Sequence, residues 1–92
     1  MTFEYITSKR LNLILVGLSK TNKPLAVQLF KKVKEVTSRD NETIEFYKNL
    51  RAPKQEYKRV HIGPFVLLFK VYKEQNLILF DDFDHHDNIY KE

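Results

Sequence analysis

Tyr57-Lys58-Arg59-Val60-His61-Ile62-Gly63-Pro64-Phe65-Val66-Leu67-Leu68-Phe69-Lys70-Val71 is the run that decides the fold. Up to Ile62 it has period two. Tyr57, Arg59 and His61 project to one side and Lys58, Val60 and Ile62 to the other, as in a strand. Gly63-Pro64 punctuates a reversal. Phe65 to Val71 is then apolar on both sides, the composition of a strand at the centre of a sheet. Lys73-Glu74-Gln75-Asn76 supplies the next turn, and Leu77-Ile78-Leu79-Phe80 opens a further strand. That strand runs into Asp81-Asp82-Phe83-Asp84-His85-His86-Asp87-Asn88-Ile89-Tyr90, so the groups able to move protons gather at one end of the sheet.

Upstream, Phe3-Glu4-Tyr5-Ile6-Thr7 alternates and reads as a short first strand. Ser8 caps a helix over about residues 9 to 19, in which Leu11, Ile14, Leu15 and Leu18 form one apolar stripe and Gly17 is a weak point. Thr21 or Asn22 caps a second helix that tolerates Pro24 in its first turn, runs to about Ser38, and turns Ala26, Leu29, Phe30, Val33 and Val36 inward. Its other side carries Lys23, Lys31, Lys32 and Lys34, the solvated face that any amphipathic helix needs. Residues 39 to 55 form a polar connection with a weak apolar interlude at Ile44, Phe46 and Tyr47, and Pro53 argues against a continuous helix. The order β-α-α-β-β-β predicts a two-layer α+β domain spanning residues 1–92, a helical hairpin packed on a mainly antiparallel sheet.

Composition narrows the function classes. The 92 residues contain no Cys, which removes disulfides, thiol nucleophiles and Cys-based zinc sites, and only two Gly, which removes glycine-rich phosphate loops. The first residues lack a basic stretch followed by an apolar one, and no apolar run nears the ~20 residues of a spanning helix. A cytoplasmic, soluble chain with no membrane association is expected. The net charge of +4 is unevenly spread: residues 81–92 sum to −4, leaving +8 on residues 1–80. Such a basic body suits a polyanion or an acidic protein partner; a lysine-rich solvated surface is the bland alternative. Asp82, Asp84 and His86 alternate toward one face, but metal sites usually recruit ligands from several elements, and an acidic strand end is commonly just solvated. No metal and no cofactor are expected.

The run from Tyr57 to Val71 resembles the hairpin of the RelE/ParE toxin superfamily, with its Tyr-Arg-(Ile/Val)-Arg-(Ile/Val)-Gly-Asp-Tyr-Arg-(Ile/Val)-(Ile/Val)-Tyr pattern. Asp84-His85-His86-Asp87-Asn88-Ile89-Tyr90 resembles that superfamily's closing Gly-His-Arg-x-x-(Ile/Val)-Tyr. The resemblance covers the element order of the whole chain and about 35 residues of motif. It implies a toxin held by a cognate acidic antitoxin and acting with the ribosome on mRNA as an endoribonuclease (an mRNA interferase). It also leaves open a gyrase-directed toxin, as in the ParE branch, and a binding module without activity. Arg59, His61 and Tyr90 match the superfamily in type. Val66 and His86 stand where it has arginines.

The residues support a chemistry of their own. Cutting RNA with its own 2′-hydroxyl requires a base for that proton, cations for the charge growing on phosphate, and an acid for the departing 5′-oxygen. Strand pairing can turn the side bearing Tyr57, Arg59 and His61 toward His85, His86 and Tyr90. This assigns His86 as acid or base with His61 as its counterpart, His85 as a further group suited to either role, Arg59 as phosphate clamp and Tyr90 as an orienting or proton-donating group. Lys54, Lys58 and Arg51 would draw the RNA backbone. The competing reading makes the histidines surface hydrogen-bond partners of the aspartates and leaves Tyr90 packed on the sheet.

Overall fold

The computed structural model describes residues 3–90. β1 (Glu4–Thr7) leads through Ser8 into α1 (Lys9–Thr21), and Asn22 alone separates α1 from α2 (Lys23–Thr37). Ser8 Oγ accepts from the Leu11 amide at 3.0 Å, and Asn22 Oδ1 accepts from the Leu25 amide at 3.3 Å. Each side chain satisfies a donor that the first helical turn leaves open. Asn22 is also the C-cap of α1, so one residue closes one helix and opens the next.

β2 (Lys58–Ile62), β3 (Phe65–Tyr72) and β4 (Leu77–His85) complete a four-stranded sheet of order β1-β4-β3-β2. β1 runs parallel to β4 and the other pairs are antiparallel, so the sheet is mixed. Gly63 (φ 59°) and Asn76 (φ 52°) take the left-handed conformation at the two hairpin turns, where glycine and asparagine are tolerated. β4 does not stop where its apolar run ends. It continues through the aspartates to His85, with a bulge where Leu68 faces Asp82 and Phe69 faces Phe80, leaving Asp81 as the extra residue. The short α3 (His86–Ile89) follows.

The two sheet faces are unequal. Under the helices, Leu11, Leu29, Val33 and Val36 meet Leu67, Phe69, Ile78, Phe80 and Phe83, all buried. Burying each such side chain contributes about 1.5–3 kcal/mol. Phe30, expected to turn inward, is instead half exposed, and Leu25, one turn before Leu29, is buried. The connection expected to be polar with a weak apolar interlude at Ile44, Phe46 and Tyr47 contributes to both faces. Ile44, in a 3₁₀ turn over Thr43–Phe46, and Tyr47 join the helix-side core, whereas Leu50 packs on the opposite face with Val66, Leu68 and Ile89. Among the described residues no helix is long and apolar enough to cross a membrane.

Candidate functional site

The face away from the helices carries the candidate site. Alternation along β2 puts Arg59 and His61 on the side of Leu68 and Val66, their cross-strand partners, whose side chains form the small second core. α3 is seated on the same face by buried Ile89 and by the His86 amide, which donates to the Pro64 carbonyl at 2.8 Å. The β2–β3 turn therefore holds the start of the helix that bears His86. Tyr90 lies one turn on, and residues four apart on a helix are neighbours.

These constraints bring four predicted residues together. The His61 and His86 rings lie 6.3 Å apart at a tilt of 32°, and the His86 and Tyr90 rings are 4.7 Å apart. The Arg59 guanidinium sits 6.0 Å from the Tyr90 ring centre, and its Nη1 donates to the Asn49 carbonyl at 3.0 Å. His61, His86 and Tyr90 are exposed, and Arg59 is half-buried. Two imidazoles, a phenol and a guanidinium thus share one open face, a set able to take a proton, give one and bind a phosphate.

Two other candidates go elsewhere. His85 does not join the cluster: its Nδ1 accepts from the Asp87 amide at 3.2 Å as the N-cap of α3, and its ring stands edge-on to Phe65, which packs on the helix-side core. Lys58 is buried, not available to an RNA backbone. Its Nζ donates to Glu45 Oε1 at 3.0 Å, the Tyr47 carbonyl at 3.0 Å and Asn49 Oδ1 at 2.9 Å, which uses all three ammonium protons. Arg51 and Lys54 are exposed on the loop that follows Leu50, a loop closed just before β2 where the Leu50 amide donates to the Tyr57 carbonyl.

The aspartates of β4 are engaged. Asp81, placed by the bulge, accepts from the Tyr57 hydroxyl at 2.8 Å, and that bond raises the phenol above its ordinary pKa. Asp82 takes Arg10 Nε at 2.7 Å beyond Phe80, where pairing with β1 has ended. Asp84 accepts from the Asn88 amide at 3.1 Å and from its neighbour's backbone amide, and these bonds, with Arg10, hold its carboxyl below the usual range. Asp84 and Asn88 thereby fasten α3 to the strand end. Sequence reading missed this pair, whose signal is an acceptor and a donor four residues apart across a helix start. Among the described residues no group of three or more His, Asp or Glu is arranged to hold a metal ion.

No protein-family model matches the chain. Among individual proteins it is 46% identical over 82 residues, 88% of this chain and 83% of the relative, to a protein of Methanocaldococcus jannaschii named as toxin RelE4. It is 39% identical over 74 residues, 79% of this chain and 81% of the relative, to an uncharacterized protein of Methanosarcina mazei. In structure it is similar to a chain of the toxin-antitoxin complex RelBE2 from Mycobacterium tuberculosis, with a TM-score of 0.75, 15% identity and coverage of 94% of this chain and 93% of that one. It is also similar to the conserved hypothetical protein HP0892 of Helicobacter pylori, with a TM-score of 0.58, 20% identity and coverage of 96% and 99%. At these identities the structural likenesses establish the fold.

Proposed function

The chain belongs to the RelE toxin family, and from that premise we propose that it is the toxin of a toxin-antitoxin pair, a ribosome-dependent endoribonuclease that cuts mRNA by acid-base catalysis. The observation that carries the reading is the convergence of His61, His86, Tyr90 and Arg59 on one open face. In the proposed reaction one imidazole takes the 2′-hydroxyl proton and the 2′-oxygen attacks the adjacent phosphorus. The 5′-oxygen leaves with a proton from the other imidazole, giving a 2′,3′-cyclic phosphate and a free 5′-hydroxyl. Arg59 balances the charge growing on the non-bridging oxygens, and Tyr90 orients His86 or supplies the second proton. Exposed Arg51 and Lys54 hold the RNA backbone beside the site.

A cognate acidic antitoxin is the proposed partner. The +8 carried by residues 1–80 favours an acidic chain, and the RelBE2 structure is itself a toxin-antitoxin complex. Action on ribosomes would put the protein in the cytoplasm. One observation favours a second reading, a gyrase-directed toxin or an inactive binding module: Val66, at a superfamily arginine position, is fully buried in the apolar cluster, so no cation projects from there.

The test is inducible expression with mapping of mRNA 5′ ends, run beside a gyrase supercoiling assay. The endoribonuclease reading expects new RNA ends for the wild type and ~10²-fold fewer for His86→Ala, the usual scale of general acid-base catalysis. DNA breaks with unchanged RNA ends would move the chain to the gyrase class.

A further inference from the structure

α3 cannot hold itself together. Its four residues make one turn, far below the ~12–15 at which a helix is even marginally stable alone, so its place is set by what it is tied to. Beyond the cap supplied by His85, the His86 amide is bonded to the Pro64 carbonyl at 2.8 Å, Ile89 is buried against the small cluster, and Asn88 Nδ2 donates to Asp84 Oδ1 at 3.1 Å. The bond to Pro64 pins the start of the helix and Ile89 its underside, which leaves the helix free to roll about Ile89. The bond to Asp84 stops the roll. Successive residues on a helix turn by about 100°, so Asn88 lies roughly 160° from both His86 and Tyr90, nearly across the axis from them. Any movement at Asn88 therefore swings those two side chains the opposite way.

Asp84 is well fixed to receive this bond. Its Oδ1 also accepts from the His85 amide at 2.7 Å, and Arg10 Nη2 lies 3.8 Å from its Oδ2, so both oxygens are held at the strand end. The Asn88 bond, with that amide and Arg10, keeps the carboxyl below its usual range; at neutral pH it is ionised and can only accept. We propose that Asn88 is a positioning residue of the cleavage site: anchored on Asp84, it fixes the roll of α3 and so the approach of the His86 ring to His61. The inference rests on the endoribonuclease reading above. A primary amide neither takes nor gives up a proton near neutral pH, so Asn88 acts through His86 and not on the RNA itself. The spacing is what it guards. One imidazole must reach the 2′-oxygen and the other the 5′-oxygen of a single phosphate, the rings stand 6.3 Å apart, and a ~1 Å misplacement can cost ~10²-fold in rate.

The test uses the full chain with purified ribosomes carrying a defined mRNA, and NMR of the free chain well below its melting temperature. Asn88→Ala should lower kcat ~10-fold or more with KM nearly unchanged, the pattern of a group that matters only in the transition state. It should also move the ring signals of His61, which lies on β2 and is bonded to neither Asp84 nor Asn88; a loss of stability alone would leave them in place while the chain is folded. Asn88→Asp sets carboxylate against carboxylate and should be at least as impaired. Adding Asp84→Asn exchanges donor and acceptor: the new amide at position 84 donates to the new carboxylate, and its carbonyl still takes the His85 amide. That double variant should recover kcat to within about threefold of the wild type, the coupling expected of two side chains in contact. Asn88→Ala cutting as well as the wild type, a loss carried by KM, unmoved His61 signals, or a double variant as poor as Asn88→Asp would each overturn the proposal and leave the endoribonuclease reading standing. A wild type that leaves the mRNA uncut would overturn that reading and the proposal with it, so the two failures are told apart.

Discussion

The two faces of the sheet spend their side chains differently. Facing the helices, Phe69, Phe80, Phe83, Leu67 and Ile78 fill a continuous core; on the other face, among the described residues, the buried apolar cluster is Leu50, Val66, Leu68 and Ile89, with Tyr57 at their margin. The small cluster is enough to seat α3 and the loop after Leu50. It leaves the rest of that face free for His61, His86, Tyr90 and Arg59. Stability resides on one side and the proposed chemistry on the other, so the two should be separable by mutation.

The largest effect is expected on the helix side. Phe80 is fully buried and packs against Tyr5 and Phe69, so Phe80→Ala should cost about 3–5 kcal/mol, much of the stability of a small domain. Urea unfolding followed by circular dichroism measures it. A loss below about 1 kcal/mol would mean that the helix-side core is not the principal one.

On the opposite face the sign of the experiment reverses. His61→Ala and His86→Ala should each lower mRNA cleavage ~10²-fold while leaving the melting temperature within a degree or two, since both rings are exposed. Tyr90→Phe separates hydroxyl from ring: full activity would assign Tyr90 to packing against His86. His85→Ala should act through the α3 cap, lowering stability by about 1 kcal/mol without removing a proton-transfer group.

Lys58 tests the boundary between the faces. Lys58→Met keeps the aliphatic stem but leaves Glu45, the Tyr47 carbonyl and Asn49 without their shared donor, at a cost of about 1–3 kcal/mol. RNA affinity should not change. Arg51→Ala with Lys54→Ala should do the opposite, flattening the salt dependence of RNA binding at constant melting temperature. If Lys58→Met weakens RNA binding at unchanged stability, the burial argument fails.

What was legible in the sequence follows the same division. Periodicity placed both helices and all four strands, because each must bury one stripe or one alternating face. The assignment of Phe30 to the core failed because residues 29, 30, 33 and 36 span an arc wide enough to admit either edge, and tertiary packing chose Leu25. The bulge at Asp81 was readable in principle: buried Ile78, Phe80 and Phe83 are spaced two and then three, which a regular strand does not permit. His61, His86, Tyr90 and Arg59 could be grouped from alternation and the closing motif. The burial of Lys58 could not, because lysine is rarely enclosed and its partners come from residues 45–49, where no period signals a shape.

The smallest predicted effect concerns the acid limb of stability, through a bond that ties the end of α2 to the helix-side core. Glu35 Oε2 accepts from the Tyr47 hydroxyl at 2.6 Å, and this bond, followed by Lys32, holds the Glu35 carboxyl below its ordinary pKa. A depressed folded-state pKa means that the unfolded chain binds the proton more readily. The contribution is therefore complete above the unfolded value of about 4.3 and disappears as pH falls through the lower folded value. Tyr47→Phe keeps the ring against Phe69 and deletes only the donor, while Glu35→Gln removes the titrating group. Both should melt nearer to the wild type at about pH 3 than at about pH 6, because acid has already removed in the wild type what the substitutions remove. Asp40, Glu45 and Asp84, also held low by their hydrogen bonds, keep part of the acid limb in every variant, so the difference between melting curves is the readout. A difference that stays constant across that pH range would detach Glu35 from acid stability and leave the Tyr47 ring as the whole of that contact.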